Sequence, residues 1–155
     1  MKALVVYFSY SNNTKKIVEK VDEVFCLDTV RVERKIPYSK DYDTCAYVEA
    51  KKEVDERIYP EILPLKRNPE DYDAILIFFP IWWYTFPMPI GTFARSLAGY
   101  KGKVYLFGNS YTDDKQYLKN SVRDFKGLVP DVDVTGVELN EPVEKIVEEM
   151  RKIVR

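Results

Sequence analysis

Two uninterrupted apolar runs constrain the fold of this 155-residue chain more than any other feature. The first occupies residues 3–8, and the second occupies residues 74–79 and is followed by Pro80. A strand with one side facing water alternates polar and apolar residues, whereas a run that is apolar throughout is typical of a strand buried on both faces. The two runs therefore predict central strands of a sheet that is covered by helices on both sides.

The rest of the chain alternates between short strand patterns and helical periodicity. Further strands are predicted at residues 29–35, 104–107 and 132–137, with apolar residues at helical spacing between and after them. In the long connection 38–58, Ala46, Ala50, Val54 and Ile58 recur every four residues and predict a helix. Because parallel strands need right-handed crossovers, five strands alternating with helices predict a doubly wound three-layer α/β sandwich. We expect residues 1–155 to form a single domain.

Composition excludes several classes of function. A formal net charge of −1 provides no basic face for nucleic acid, and the absence of histidine argues against hydrolase triads and most catalytic metal sites. The only cysteines, Cys26 and Cys45, lack the spacing of a zinc or iron-sulfur site and fit a reduced, cytoplasmic setting. The first apolar run is too short for a signal peptide or a membrane segment. We therefore expect a cofactor to supply any chemistry, with no nucleic acid or membrane as partner.

The loop after the first apolar run has the composition of an anion site. It consists of Ser9, Tyr10, Ser11, Asn12, Asn13 and Thr14. A helix that begins here leaves its first N–H groups without intrahelical partners, and the helix dipole adds partial positive charge. Hydroxyl groups can donate to a phosphate, and asparagine tolerates the left-handed backbone that turns N–H groups inward. The alternative is that Ser11 or Asn13 only caps the helix.

The loop after the second apolar run is rich in aromatic residues. It begins Pro80, Ile81, Trp82, Trp83, Tyr84. In doubly wound sheets, ligands bind beyond the carboxyl ends of the strands where the winding direction reverses, so this loop and residues 9–14 flank one predicted site. The rings could stack on a flat ligand, or they could form a lid on the core or an interface cluster. A phosphate site beside an aromatic loop favours a nucleotide-like cofactor.

These two loops resemble those of the flavodoxin family. The stretch SYSNNT is similar to the family's phosphate loop, with Asn12 in place of a glycine, and PIWWYTFPMPIGTF is similar to the PxWWGTxPxP loop of small flavodoxin-like flavoproteins, with Tyr84 in place of a glycine. The resemblance spans essentially the whole chain. It implies a sheet order of 2-1-3-4-5 and FMN as the cofactor.

The resemblance also implies roles for particular residues. Residues 9–14 would hold the FMN phosphate, and residues 80–84 would adjoin the flavin ring together with a third loop, Asn109, Ser110, Tyr111 and Thr112. We expect neither a catalytic acid or base nor a metal ligand in the chain. Because tyrosine is bulkier than glycine, Tyr84 is expected either to fill part of the flavin slot or to cover it.

Three functions remain open from the sequence. The first is a flavodoxin-type protein that carries electrons between partner proteins, and we favour it. The second is a small FMN-dependent oxidoreductase that takes electrons from NAD(P)H and passes them to quinones or similar acceptors; it would need open space over the flavin. The third is a flavin-free interaction module that has kept the fold.

Overall fold

The centre of the computed structural model, which describes residues 2–109, 115–138 and 142–154, is a five-stranded parallel sheet. The strands are β1 (Ala3–Tyr7), β2 (Asp28–Arg31), β3 (Ala74–Pro80), β4 (Lys103–Asn109) and β5 (Asp133–Glu138). Their order across the sheet is β2-β1-β3-β4-β5. The predicted fold class and strand order are therefore confirmed.

Helices cover both faces of the sheet. They are α1 (Asn13–Phe25), α2 (Tyr42–Thr44), a π-helical turn (Cys45–Ala50), α3 (Lys51–Glu56), α4 (Met88–Arg95), α5 (Gln116–Leu128) and α6 (Val143–Ile153). One apolar cluster joins the sheet to α1 and α6, and the other joins it to α3, α4 and α5. Within the described ranges, no helix has the length and apolar character needed to cross a membrane.

The two apolar runs are buried for the predicted reason. In β1, Leu4 and Val6 face one cluster and Val5 faces the other, and all three are at most 1% exposed. In β3, Ile77 and Phe78 likewise divide between the two clusters and are fully buried. A strand covered on both faces has no position at which a polar side chain could reach water.

The second strand is shorter than the sequence indicates. The pattern at residues 29–35 predicts one strand, whereas β2 ends at Arg31. Val32 still donates its N–H to the Tyr7 carbonyl at 2.8 Å, but Arg34 then forms an antiparallel bridge with Ile62. The alternation beyond Arg31 therefore reflects pairing with a different segment of the chain.

The helix predicted in residues 38–58 exists, but its periodicity differs from the prediction. Across the π-helical turn, the buried residues are Cys45 and Ala50, which are five positions apart, as expected where hydrogen bonds run from residue i to i+5. The helix ends at Glu56, and Arg57 adopts a left-handed φ of 52°. Ile58, predicted on the buried face, therefore lies beyond the helix and is 41% exposed.

Candidate functional site

The predicted loops meet at the carboxyl ends of β1, β3 and β4. Strand β1 pairs with β2 on one side and β3 on the other, so the winding direction reverses here. Pro80 and Asn109 pair at the ends of β3 and β4, and the Ile81 N–H donates to the Asn109 carbonyl at 2.7 Å. Of the third predicted loop only Asn109 can be placed, since Ser110, Tyr111 and Thr112 lie outside the described residues.

The first loop enters α1 with the backbone of an anion site. Asn12 has a φ of 67° and makes no side-chain capping hydrogen bond, and the helix begins at Asn13. Within the described residues, no carbonyl accepts the backbone N–H of Tyr10, Ser11 or Asn12. Helix starts normally satisfy such donors with a side chain, water or a ligand. The Asn12 side chain therefore does not cap α1.

Hydroxyl groups and helix charge complete the character of this loop. Thr14 is 1% exposed and Ser9 is 6% exposed. The Ser9 hydroxyl accepts the Lys15 N–H at 3.3 Å, which anchors the loop to the first turn of α1. That turn contains no acidic residue, so nothing there opposes the positive end of the helix dipole. The loop therefore suits a phosphate.

A tight turn shapes the aromatic loop. Trp82 and Thr85 form an antiparallel bridge, with the Trp82 N–H donating to the Thr85 carbonyl at 2.8 Å. Trp83 and Tyr84 lie between them with φ values of 49° and 73°. Two-residue turns with positive φ at both positions are usually Asn-Gly, because bulky residues resist the left-handed region. The turn therefore holds two aromatic residues in an unfavourable backbone conformation.

Trp82 links the aromatic loop to the first loop. Its ring centroid is 5.2 Å from that of Phe8, 5.5 Å from that of Tyr38 and 5.9 Å from that of Tyr10. The interplanar angles lie between 67° and 87°, so the rings pack edge to face. Trp82 is thus a packing residue in the wall between the two loops.

The other two rings of the loop diverge. The Trp83 indole N–H donates to the Ala46 carbonyl at 2.7 Å, and its ring lies 5.5 Å from that of Tyr47. Tyr84 turns the other way, 58% exposed, with its ring 5.4 Å from that of Tyr117 in α5. The three rings expected around one flat ligand therefore point towards three different neighbours.

A cavity of about 210 Å³ opens beside Trp82 and the π-helical turn. Its lining is mostly aromatic and apolar: Tyr10, Tyr42, Cys45, Ala46, Tyr47, Ala50, Ile81, Trp82 and Trp83. Burial raises the pKa of the Cys45 thiol to about 11, and Glu49 reinforces the shift, so Cys45 presents a neutral thiol at physiological pH. The cavity offers flat apolar walls without a charged nucleophile.

A buried polar network lies behind Trp82, and sequence reasoning missed it. The Tyr38 hydroxyl donates to the Glu53 carboxylate, and an Arg34 guanidinium nitrogen lies 3.2 Å from that carboxylate. Burial raises the pKa of Glu53 despite these partners, and burial together with the Glu53 hydrogen bond raises the pKa of Tyr38. No local motif marks these residues, because the three come from different parts of the connection between β2 and β3.

Comparisons with solved structures agree with this fold. A crystal structure from Bacteroides eggerthii is 27% identical, covers 98% of this chain and 96% of its own, and has a TM-score of 0.82. A flavoprotein from Lactobacillus acidophilus, crystallised in complex with FMN, is 25% identical, covers 99% of both chains and has a TM-score of 0.80.

Sequence comparisons relate the chain to an oxidoreductase and to a protein family. The uncharacterized NAD(P)H oxidoreductase YcaK of Escherichia coli is 33% identical over 72 residues, which amount to 46% of this chain. The match spans only 33% of the length of that relative. The flavodoxin family model matches residues 2–152, and the chain therefore belongs to the flavodoxin family.

Proposed function

We propose that the protein binds FMN and carries electrons between partner proteins. The observation that carries the proposal is the loop of residues 9–14, in which the backbone N–H groups of Tyr10, Ser11 and Asn12 have no carbonyl acceptor among the described residues and Thr14 is buried. A phosphate supplies the acceptors that such a loop needs. The FMN complex of the Lactobacillus acidophilus relative, which covers 99% of this chain, supports the same cofactor.

The residues present fit the two ends of this cofactor. Residues 9–14 would hold the phosphate, and Tyr10, Ile81 and Trp82 would offer apolar walls to the ring. Bound FMN supplies one- and two-electron chemistry, and the protein tunes it through stacking, hydrogen bonds and nearby charge. The chain's own contribution is to bind, orient and shield the cofactor. Among the described residues, no charged acid or base lines the aromatic cavity.

An exposed aromatic surface favours the carrier role. Tyr42, Tyr47, Val48 and Tyr84 are between 58% and 62% exposed. The Tyr47 and Tyr84 rings flank Trp83 at 5.5 and 6.4 Å, so the surface is continuous with the aromatic loop. Large exposed apolar side chains grouped beside a site are typical of surfaces that contact another protein. A redox partner protein docking there would place its own centre close to the flavin.

The oxidoreductase role is the second candidate. It is favoured by the partial likeness to YcaK. NAD(P)H would then be the electron donor. Two free cysteines, one exposed and one buried, fit either role in a reducing, cytoplasmic setting.

Binding and reduction experiments test both proposals. Apoprotein is titrated with FMN and, in parallel, with riboflavin, which lacks the phosphate, while flavin fluorescence is followed. We expect FMN to bind far more tightly than riboflavin. If neither binds, the cofactor assignment is wrong and the flavin-free interaction module takes its place. The FMN form is then mixed with NADPH or NADH in a stopped-flow instrument, where direct rapid flavin reduction would favour the oxidoreductase over the carrier.

A further inference from the structure

Arg31 lies at the end of the sheet where the phosphate loop begins. It is the last residue of β2 and pairs in register with Tyr7, the last residue of β1. Its Nη2 donates to the Ser9 carbonyl at 2.7 Å, and its guanidinium lies 5.6 Å from the centre of the Tyr7 ring. These two contacts hold a positive charge directly behind the loop.

The charge on Arg31 has no acidic partner in the part of the chain that the structure describes. The neighbouring cations differ: Arg34 lies 3.2 Å from a Glu53 carboxylate oxygen, and Lys35 lies 3.2 Å from that of Glu61. Arg31 is half-buried, where solvent screens a charge less than at the surface. Among the described residues, no ion pair therefore competes with the hydrogen bond from Arg31 to the loop.

The hydrogen bond from Arg31 acts on a peptide group of the phosphate loop. The Ser9 carbonyl and the Tyr10 N–H belong to the same peptide, and the Tyr10 N–H has no carbonyl acceptor within the described residues. A cation on the carbonyl oxygen polarises the peptide and strengthens its N–H as a donor. The same bond fixes the direction in which that N–H points.

We infer that Arg31 is a positioning residue of the phosphate site. It holds and polarises the Ser9–Tyr10 peptide and places an uncompensated positive charge behind the loop, and thereby makes binding depend on the phosphate charge. The inference rests on the proposed FMN function. Arg31 is then a cation of the phosphate site that contacts the loop and not the ligand.

Three variants and two ligands test this role. Arg31→Met removes the charge and the hydrogen bond but keeps an unbranched apolar stem, and Arg31→Lys keeps the charge but replaces the planar guanidinium with a shorter ammonium donor. Arg67→Met is the matched control, because Arg67 pairs with Asp28 at the opposite end of the same strand. Each protein is first compared with the unsubstituted chain by circular dichroism and thermal unfolding. Dissociation constants are then measured for FMN and for riboflavin.

We expect Arg31→Met to weaken FMN binding roughly tenfold, the loss typical of one charge-assisted hydrogen bond, and riboflavin binding less than about twofold. Arg31→Lys should recover part of the loss, and Arg67→Met should behave like the unsubstituted chain. The loss in Arg31→Met should grow from about pH 5 to about pH 7.5, since a phosphate monoester gains its second charge near pH 6. It should shrink with added salt.

Three results would overturn the role of Arg31. The first is an equal loss of FMN and riboflavin affinity in Arg31→Met. The second is an unchanged FMN affinity in that variant, and the third is a loss of FMN affinity that does not vary with pH. If Arg31→Met does not fold, Arg31→Gln takes its place, because it removes the charge and keeps a side-chain donor, and an FMN affinity equal to that of the unsubstituted chain would overturn the role. Failure of the unsubstituted chain to bind FMN would instead refute the proposed function, so the two failures are distinguishable.

Discussion

Replacing Tyr84 by glycine and by alanine measures the strain in the aromatic turn. Tyr84 has a φ of 73°, and the left-handed region costs a residue with a Cβ about 1–2 kcal/mol. Alanine keeps that cost, whereas glycine avoids it but loses about 0.5–1 kcal/mol through its extra freedom when unfolded. We therefore expect Tyr84→Gly to be more stable than Tyr84→Ala by roughly 0.5–1 kcal/mol. Both variants lose the contact with Tyr117 and differ only in the backbone term.

Gly127 provides the matched control. It lies in helix α5, and an alanine Cβ there would meet no atom within 4 Å. Gly127→Ala should therefore stabilise the protein by about 0.5–1 kcal/mol, the reverse of the preference at position 84. When the free-energy preference for glycine at position 84 is added to that for alanine at position 127, the entropy cost of glycine cancels. The sum is then the cost of the left-handed backbone, about 1–2 kcal/mol. Urea unfolding of the apoprotein, with equal m-values, gives each free energy.

A Tyr84→Ala variant as stable as Tyr84→Gly, or more so, would refute the argument from backbone strain. FMN affinity provides a second readout on the same proteins. Because the Tyr84 ring lies against Tyr117 and is 58% exposed, its removal should leave FMN affinity within about threefold, less than one lost hydrogen bond. A large gain in affinity would mean that the ring does occupy part of the flavin slot.

Three further predictions concern the phosphate loop, the tryptophan pair and the buried network. Thr14→Val should weaken FMN by about five- to tenfold, the loss of one hydrogen bond, and equal weakening of riboflavin would contradict a phosphate role. Trp82→Ala should destabilise the protein by about 2–4 kcal/mol because its ring packs in the wall, and Trp83→Ala by less, about 1–2 kcal/mol, in urea unfolding. Burial raises the folded pKa of Glu53 above its ordinary 4.5, so the folded state favours the neutral carboxyl group. The contribution of Glu53 to the unfolding free energy is therefore fully present below pH 4.5 and is lost as the pH rises through the folded pKa. Glu53→Gln should flatten that decline in the unfolding free energy, and an unchanged pH profile would show that Glu53 does not cause it.

The sequence predicts the sheet well because burial on both faces leaves a local signature. Residues 3–8 and 74–79 have no polar position, and they form β1 and β3 at the centre. The second strand is predicted too long because alternation indicates only that every second residue is buried. It does not indicate which segment of the chain pairs with the strand. Beyond Arg31 the partner is residues 61–63, which cannot be read from residues 29–35 alone.

The meeting of the two loops is predicted from the sequence, but the directions of their side chains are not. Topology brings the two loops to one edge of the sheet, and their composition identifies them. The directions of Trp82, Trp83 and Tyr84 depend on the positive φ of two residues, which no propensity for tryptophan or tyrosine predicts. The roles of Arg31 and Glu53 depend on partners that are distant in sequence, Ser9 and Tyr38.

The two residues that stand in place of glycine in the family resemblance, Asn12 and Tyr84, do not line the cavity beside Trp82. Asn12 and Tyr84 stand where glycine is expected, and both keep a left-handed backbone, with φ values of 67° and 73°. Each side chain is exposed, and Tyr84 lies on α5, away from the cavity beside Trp82. The backbone path that glycine would allow is therefore retained, and the added atoms face water. Because a lone asparagine tolerates this region better than an aromatic residue, the turn at Tyr84 is the more strained of the two. The turn therefore places the Tyr84 ring against Tyr117 on the exposed aromatic surface and outside the cavity beside Trp82.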